Sequence, residues 1–165
     1  MTALSLLTIN YKGEKSMIKY CLNRWNENQQ KLRQQLETDT SLNGCNYKYL
    51  VELVTKFILG KEWDAENITV VDNGDYQGTQ LFLIPRDTYQ PSESEYLMTY
   101  VGYGSCSGCD TLQAIQDWSL DDRLLEPEQV EDFMKLCKDL VTNMILPYNI
   151  GWRASSEFEP VKIDE

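Results

Sequence analysis

The chain has 165 residues, the length of one ordinary domain. It is 42% hydrophobic, with 10 Tyr, 4 Trp and 4 Phe, enough core-forming side chains to exclude a disordered polymer even at a net charge of −11. Mean hydropathy is −0.46 and no apolar run approaches the roughly 18 residues a membrane helix needs, so a soluble protein is expected.

Taken in chain order, Ala3–Ile9 is broken by Ser5 and Thr8 and has no basic residue before it, which does not read as a signal peptide. A short strand is read over Leu4–Tyr11. Apolar residues then recur at Met17, Ile18, Cys21, Leu22, Trp25, Leu32 and Leu36, with Asn26, Glu27, Gln30, Lys31 and Gln34 between them. That spacing predicts a long helix from Lys15 to Glu37. Thr38–Gly44 is turn chemistry. Asn46 caps a second helix through Tyr47, Leu50, Val51, Val54, Phe57 and Ile58, which Gly60 ends.

The middle of the chain changes period. Ile68–Val71 and Thr79–Ile84 flank the turn-rich Asp72–Gly78 and predict a β-hairpin. Asp72 and Asp75 lack the ligand spacing of a calcium loop and are read as turn residues. After a loop over Arg86–Glu95, Tyr96–Tyr103 is a third strand, rich in aromatic and β-branched residues. Leu112, Ile115 and Trp118 have the spacing of a short helix. Pro127 opens a last helix whose apolar face runs from Val130 to Ile145 and which Pro147 stops. Residues 148–165 are read as a surface-lying tail anchored by Trp152 and Phe158. The expectation is one α+β domain over residues 1–165: a small antiparallel three-stranded meander, four-stranded if Leu4–Tyr11 joins it, packed against three or four helices.

Charge is uneven. Residues 1–60 carry 8 Lys or Arg against 5 Asp or Glu, and residues 61–165 carry 7 against 21. An acidic surface of this kind repels phosphate backbones and anionic lipid, so neither direct nucleic-acid nor membrane binding is expected. A protein partner with a basic surface fits instead, although such surfaces commonly serve solubility. Five cysteines, an odd number, with Cys21, Cys45 and Cys137 in or beside helices, point to a reducing cytoplasm.

The absence of histidine excludes Ser-His-Asp and Cys-His nucleophile systems, histidine-ligated zinc and any imidazole acid–base role. What remains is the loop entered from Gly102 and Tyr103, where Gly104, Ser105, Cys106, Ser107, Gly108, Cys109 and Asp110 join a strand to a helix. Glycines at 102, 104 and 108 permit positive φ or close backbone approach, and Asp110 is a candidate N-cap.

Four readings of the loop compete. Cys106 and Cys109 suit a dithiol–disulfide couple, although a carboxylate at Asp110 would raise the neighbouring thiol pKa. They could supply two ligands of a zinc site, but zinc needs about four and no second C-x-x-C exists, so no cofactor is predicted. An anion cradle is disfavoured because no Lys or Arg lies between Arg86 and Arg123. In the fourth reading the loop is a structural turn whose cysteines pack as small apolar side chains. No residue is assigned as catalytic on this basis, and Cys106 and Cys109 are the candidate thiols.

The block Val71–Ile115 contains Asp-Asn-Gly-Asp-Tyr-Gln-Gly-Thr, Ile-Pro, Tyr-Gln-Pro and Tyr-Gly-Ser-Cys-Ser-Gly-Cys-Asp-Thr-Leu-Gln. With these motifs it resembles an uncharacterised family of small bacteriophage proteins. The resemblance covers about a quarter of the chain. It implies a phage product acting in a bacterial cytoplasm and transfers no catalytic role. The expected function is therefore a non-enzymatic acidic accessory protein that binds, and in doing so could inhibit, a host or phage protein. The alternatives are a thiol–disulfide redox protein using Cys106 and Cys109, and a structural or virion-associated protein. The oligomeric state is not legible in the sequence.

Overall fold

The computed structural model describes residues 14–120 and 122–146. The strand read over Leu4–Tyr11 and the tail over residues 148–165, with Trp152 and Phe158, lie outside the described residues. Among the described residues the fold is α+β, with four α-helices and a three-stranded antiparallel sheet.

Helix α1 spans Glu14–Thr38 and buries Met17, Cys21, Trp25, Leu32 and Leu36 along one face, as the periodicity predicts. Two positions differ from that pattern. Ile18 is 42% exposed, whereas Asn28 is buried. Asn28 is tolerated there because its Nδ2 donates to the Arg24 carbonyl at 3.0 Å and the Ile58 carbonyl at 3.2 Å, which ties α1 to the following helix.

Helix α2, Tyr47–Val54, begins at Asn46, whose side chain accepts from Tyr49 N at 3.0 Å. It runs into a π-type turn over Thr55–Leu59 that closes with Gly60 N donating to Thr55 O at 2.9 Å. Gly60 has φ 91°, which glycine adopts without strain, and a Cβ there would lie 2.6 Å from Arg24 Nη2, the movable end of that side chain, so it is the backbone that calls for glycine.

Strands β1 (Thr69–Asp72), β2 (Gly78–Pro85) and β3 (Tyr96–Tyr103) form a meander in chain order. The register runs from Thr69↔Leu83 to Asp72↔Gln80 and from Gly78↔Tyr103 to Pro85↔Tyr96. The expected hairpin turn is built by Asp72, which accepts from Gly74 N at 3.0 Å, and Asn73, whose Oδ1 accepts from Thr79 N at 2.8 Å. Beside β3, Ile145 makes an isolated antiparallel bridge to Met98 instead of continuing the last helix. Phe82, Ile84, Leu97 and Thr99 are fully buried, and by the alternation of the strands they share the face turned toward the helices.

Helix α3, Thr111–Ile115, is short, and Trp118 beyond it is 65% exposed. Helix α4, Pro127–Thr142, opens with Pro at N1 and a capping box between Glu126 and Gln129. It buries Val130, Phe133, Met134, Leu136, Cys137, Leu140 and Val141 against α1, α2 and β3. Glu131 forms a two-pronged ion pair with Arg33 of α1, and Asp132 pairs with Lys135. Among the described residues no helix is long and apolar enough to cross a membrane.

The buried Thr99 hydroxyl donates to the Leu140 carbonyl in the last turn of α4 at 2.6 Å. Carbonyls there have no partner within their own helix. Replacing Thr99→Val keeps the shape and removes this donor, so a loss of about 1–3 kcal/mol is expected in urea unfolding. A loss near zero would show that Leu140 finds another donor.

Candidate functional site

The sheet and α3 are joined by Gly104–Asp110, and the base of this loop is fixed before its tip is formed. Asp110 is the N-cap of α3 and is 6% exposed. Its Oδ1 accepts from Gln113 N and from the Tyr47 hydroxyl, both at 3.0 Å, and its Oδ2 accepts from Gly104 N at 3.1 Å. Tyr47 Oη in turn accepts from Leu112 N at 3.0 Å, and Gln113 Nε2 donates to the Gly104 carbonyl at 3.1 Å. Both ends of the loop are therefore pinned to each other and to the first turn of α2. The buried carboxylate is satisfied by three donors, which is what permits a charge there.

Above this base, Ser105–Cys109 are all exposed. Cys106–Cys109 is a β-turn closed by Cys109 N donating to Cys106 O at 2.9 Å. The turn brings Cys106 Sγ to 2.7 Å from Cys109 Sγ. Cys109 Sγ also accepts from Cys106 N at 3.1 Å and lies 3.2 Å from the Cys106 carbonyl, to which the protonated thiol can donate. The two thiols are thus neither buried apolar fillers nor separated. That removes the basis for packing as the role of these two cysteines, while Cys21 and Cys137 are fully buried.

The balance of donors lowers the Cys109 pKa below the usual thiol value. The largest cause is the Cys106 side chain as hydrogen-bond partner, with further lowering from the Cys106 and Ser105 N–H groups and the Ser105 hydroxyl, against a desolvation effect that raises it. The expected opposition from Asp110 does not arise, because that carboxylate is turned inward onto Tyr47, Gly104 and Gln113. Burial instead raises the other thiols, Cys21 and Cys45 to about 12 and Cys137 still further.

The glycines act differently from the expectation. None of Gly102, Gly104 and Gly108 has positive φ. Gly104 is needed for close approach: a Cβ there would lie 2.5 Å from the Cys109 carbonyl oxygen and 2.6 Å from Cys109 Sγ. At Gly108 a Cβ would meet only Cys106 Sγ at 3.9 Å.

Tyr103, at the end of β3, donates its hydroxyl to Asp72 Oδ1 at 2.7 Å, which pushes its phenol up to about 12 and lowers the Asp72 carboxyl. This bond holds the Asp72 carboxylate at the strand end that feeds the thiol loop. The sequence singled out Tyr103, Ser105, Cys106, Ser107, Gly108, Cys109 and Asp110. It missed Tyr47, which lies 63 positions from Asp110, and Gln113. Neither carries a sequence signal, since an apolar-face Tyr and a surface Gln are ordinary helix residues.

Among the described residues no group of three or more Cys, Asp or Glu is placed to hold a metal ion. Cys106 and Cys109 could contribute two ligands to a soft metal. A groove of about 860 Å³ lies elsewhere, lined by Tyr49, Phe57 and Trp63 with Lys56, Lys61 and Glu66. It includes no residue of the loop and mixes charges of both signs.

Comparisons with protein-family models, with curated proteins and with solved structures gave no match.

Alkylation of the reduced protein with iodoacetamide should be confined to Cys106 and Cys109 at first. The Cys109 rate should rise with pH with a midpoint below that of an ordinary free thiol measured alongside it, because hydrogen bonding favours its thiolate. A midpoint at or above the ordinary value would contradict the hydrogen-bond assignment. In Gly104→Ala the loop has to move away from the new Cβ, and the Cys109 rate near neutral pH should fall on the order of tenfold.

Proposed function

We propose that the protein is a thiol–disulfide redox protein whose reactive group is the Cys106–Cys109 pair. The observation that carries this reading is the juxtaposition of two exposed thiols, 2.7 Å apart, on a loop whose base is held by buried hydrogen bonds. A reactive dithiol needs access for a substrate, a thiolate and a second sulfur within reach, and the exposure of the turn, the lowered Cys109 pKa and the nearby Cys106 sulfur support the reading on each count.

The chemistry follows from which sulfur is stabilised. Cys109 thiolate attacks one sulfur of a substrate disulfide, forming a mixed disulfide and releasing the other substrate sulfur as thiolate. Cys106 then loses its proton to solvent and attacks Cys109 Sγ, closing the Cys106–Cys109 disulfide and releasing the second substrate thiolate. Two electrons pass from the dithiol to the substrate, and the two released thiolates take up protons from water. The reverse sequence oxidises a substrate dithiol. Nothing in these steps requires a histidine.

The setting we propose is a phage-encoded protein in a bacterial cytoplasm, supported by the resemblance of Val71–Ile115 to bacteriophage proteins. Binding to a basic host or phage protein, the role favoured by charge, is compatible with this chemistry. The excess of 21 acidic over 7 basic residues after position 60 supports such an encounter.

The test uses the neutral disulfide of 2-mercaptoethanol and intact-mass analysis. The wild-type chain should lose two hydrogens, with the new bond mapping to Cys106 and Cys109. Cys106→Ser should stop at the mixed disulfide on Cys109, and Cys109→Ser should react at least about tenfold more slowly. A wild-type chain that keeps five free thiols under these conditions would overturn the reading.

A further inference from the structure

The loop is uncharged at its tip, and the charged side chains hydrogen-bonded at its base and at the strand end that feeds it are carboxylates. Ser105, Ser107 and Gly108 flank the two thiols and bring no cation. No Lys or Arg occurs from residue 87 to residue 122. The charged groups tied to the loop through hydrogen bonds are acidic: Asp110 on Gly104 N at 3.1 Å, and Asp72 on the Tyr103 hydroxyl at 2.7 Å. Asp75, exposed in the same hairpin, also acts on the Tyr103 phenol. A cation close in sequence to the anchoring Tyr47 is Lys48, which is paired with Glu52 at 3.7 Å.

We infer that the dithiol exchanges with cationic disulfides, those carried on basic protein segments, and discriminates against anionic ones such as glutathione disulfide. This rests on the redox reading of the same loop. An incoming anionic disulfide meets the field of the hairpin carboxylates Asp72 and Asp75, then the thiolate itself, and the stretch from residue 87 to residue 122 supplies no cation to offset the desolvation of its charge. A cationic disulfide is attracted at each of those steps. Steering of this kind changes association rates by about ten to a thousandfold and fades as salt shortens its range from about 30 Å at 0.01 M to about 3 Å at 1 M. The discrimination therefore belongs to the encounter and carries a salt signature that a difference in intrinsic sulfur reactivity lacks.

The experiment measures exchange of the full reduced chain with three small disulfides: cystamine, which is cationic, the neutral disulfide of 2-mercaptoethanol, and anionic glutathione disulfide. Each rate is divided by that of dithiothreitol with the same disulfide, which cancels leaving-group chemistry. At about 0.01 M salt the normalised cystamine rate should exceed that of glutathione disulfide by at least about tenfold, and at 1 M the ratio should approach one. Asp75→Lys should lower the low-salt ratio by at least about twofold. Exchange with all three at normalised rates within about twofold at low salt would overturn the charge selection and leave the redox reading standing. Absence of exchange with the neutral disulfide would overturn both.

Discussion

The arrangement at the thiols depends on one buried charge. Asp110 is buried, yet its carboxylate has a Tyr hydroxyl and two backbone N–H groups as donors. Removing a donor from such a group costs about 1–3 kcal/mol or more, because the charge stays desolvated. That penalty fixes three things together: where β3 ends at Tyr103, just before Gly104, where α3 begins, and how both sit against the first turn of α2. The turn above inherits its geometry from this base. Gly104 completes it, since only a residue without a Cβ lets Cys109 fold back over the strand end.

With the base fixed, an exposed turn can carry reactive groups without contributing to the core. The core is a contiguous cluster drawn from α1, α2, the sheet and α4, and the loop from Ser105 to Cys109 is absent from it. This separation explains how two thiols can remain solvent-exposed in a chain whose other cysteines are buried or half-buried. It also explains the opposite directions of the thiol pKa values. Desolvation dominates for Cys21, Cys45 and Cys137, whereas hydrogen bonding dominates for Cys109. In the role we propose, net acidity shapes which disulfides reach the loop, joining the partner chemistry suggested by composition to the sulfur chemistry suggested by geometry.

Local signals in the sequence were strong where backbone chemistry is local. Asn46 and Asp110 as N-caps, Gly60 as a helix stop, Pro127 at N1 and the turn at Asn73 are each decided within a few residues. Hydrophobic periodicity placed α1, α4 and all three strands for the same reason. What was not legible depends on distant partners. Asn28 could be buried only because Ile58 offers a carbonyl. Asp110 could be read as a charge beside Cys109 only until Tyr47 turned it inward. The exposure of Cys106 and Cys109 follows from the whole loop being lifted off the core, which no pattern within Cys-Ser-Gly-Cys encodes.

The proposed role requires the loop to be a reversible two-electron couple. The direct measurement equilibrates the full chain with mixtures of reduced and oxidised dithiothreitol at fixed pH and quantifies the oxidised fraction by mass. The predicted result is one reversible two-electron transition, confined to Cys106 and Cys109, with Cys21, Cys45 and Cys137 still reduced at its end. A chain that shows no transition over that range, or whose oxidation spreads to the other cysteines, would contradict it.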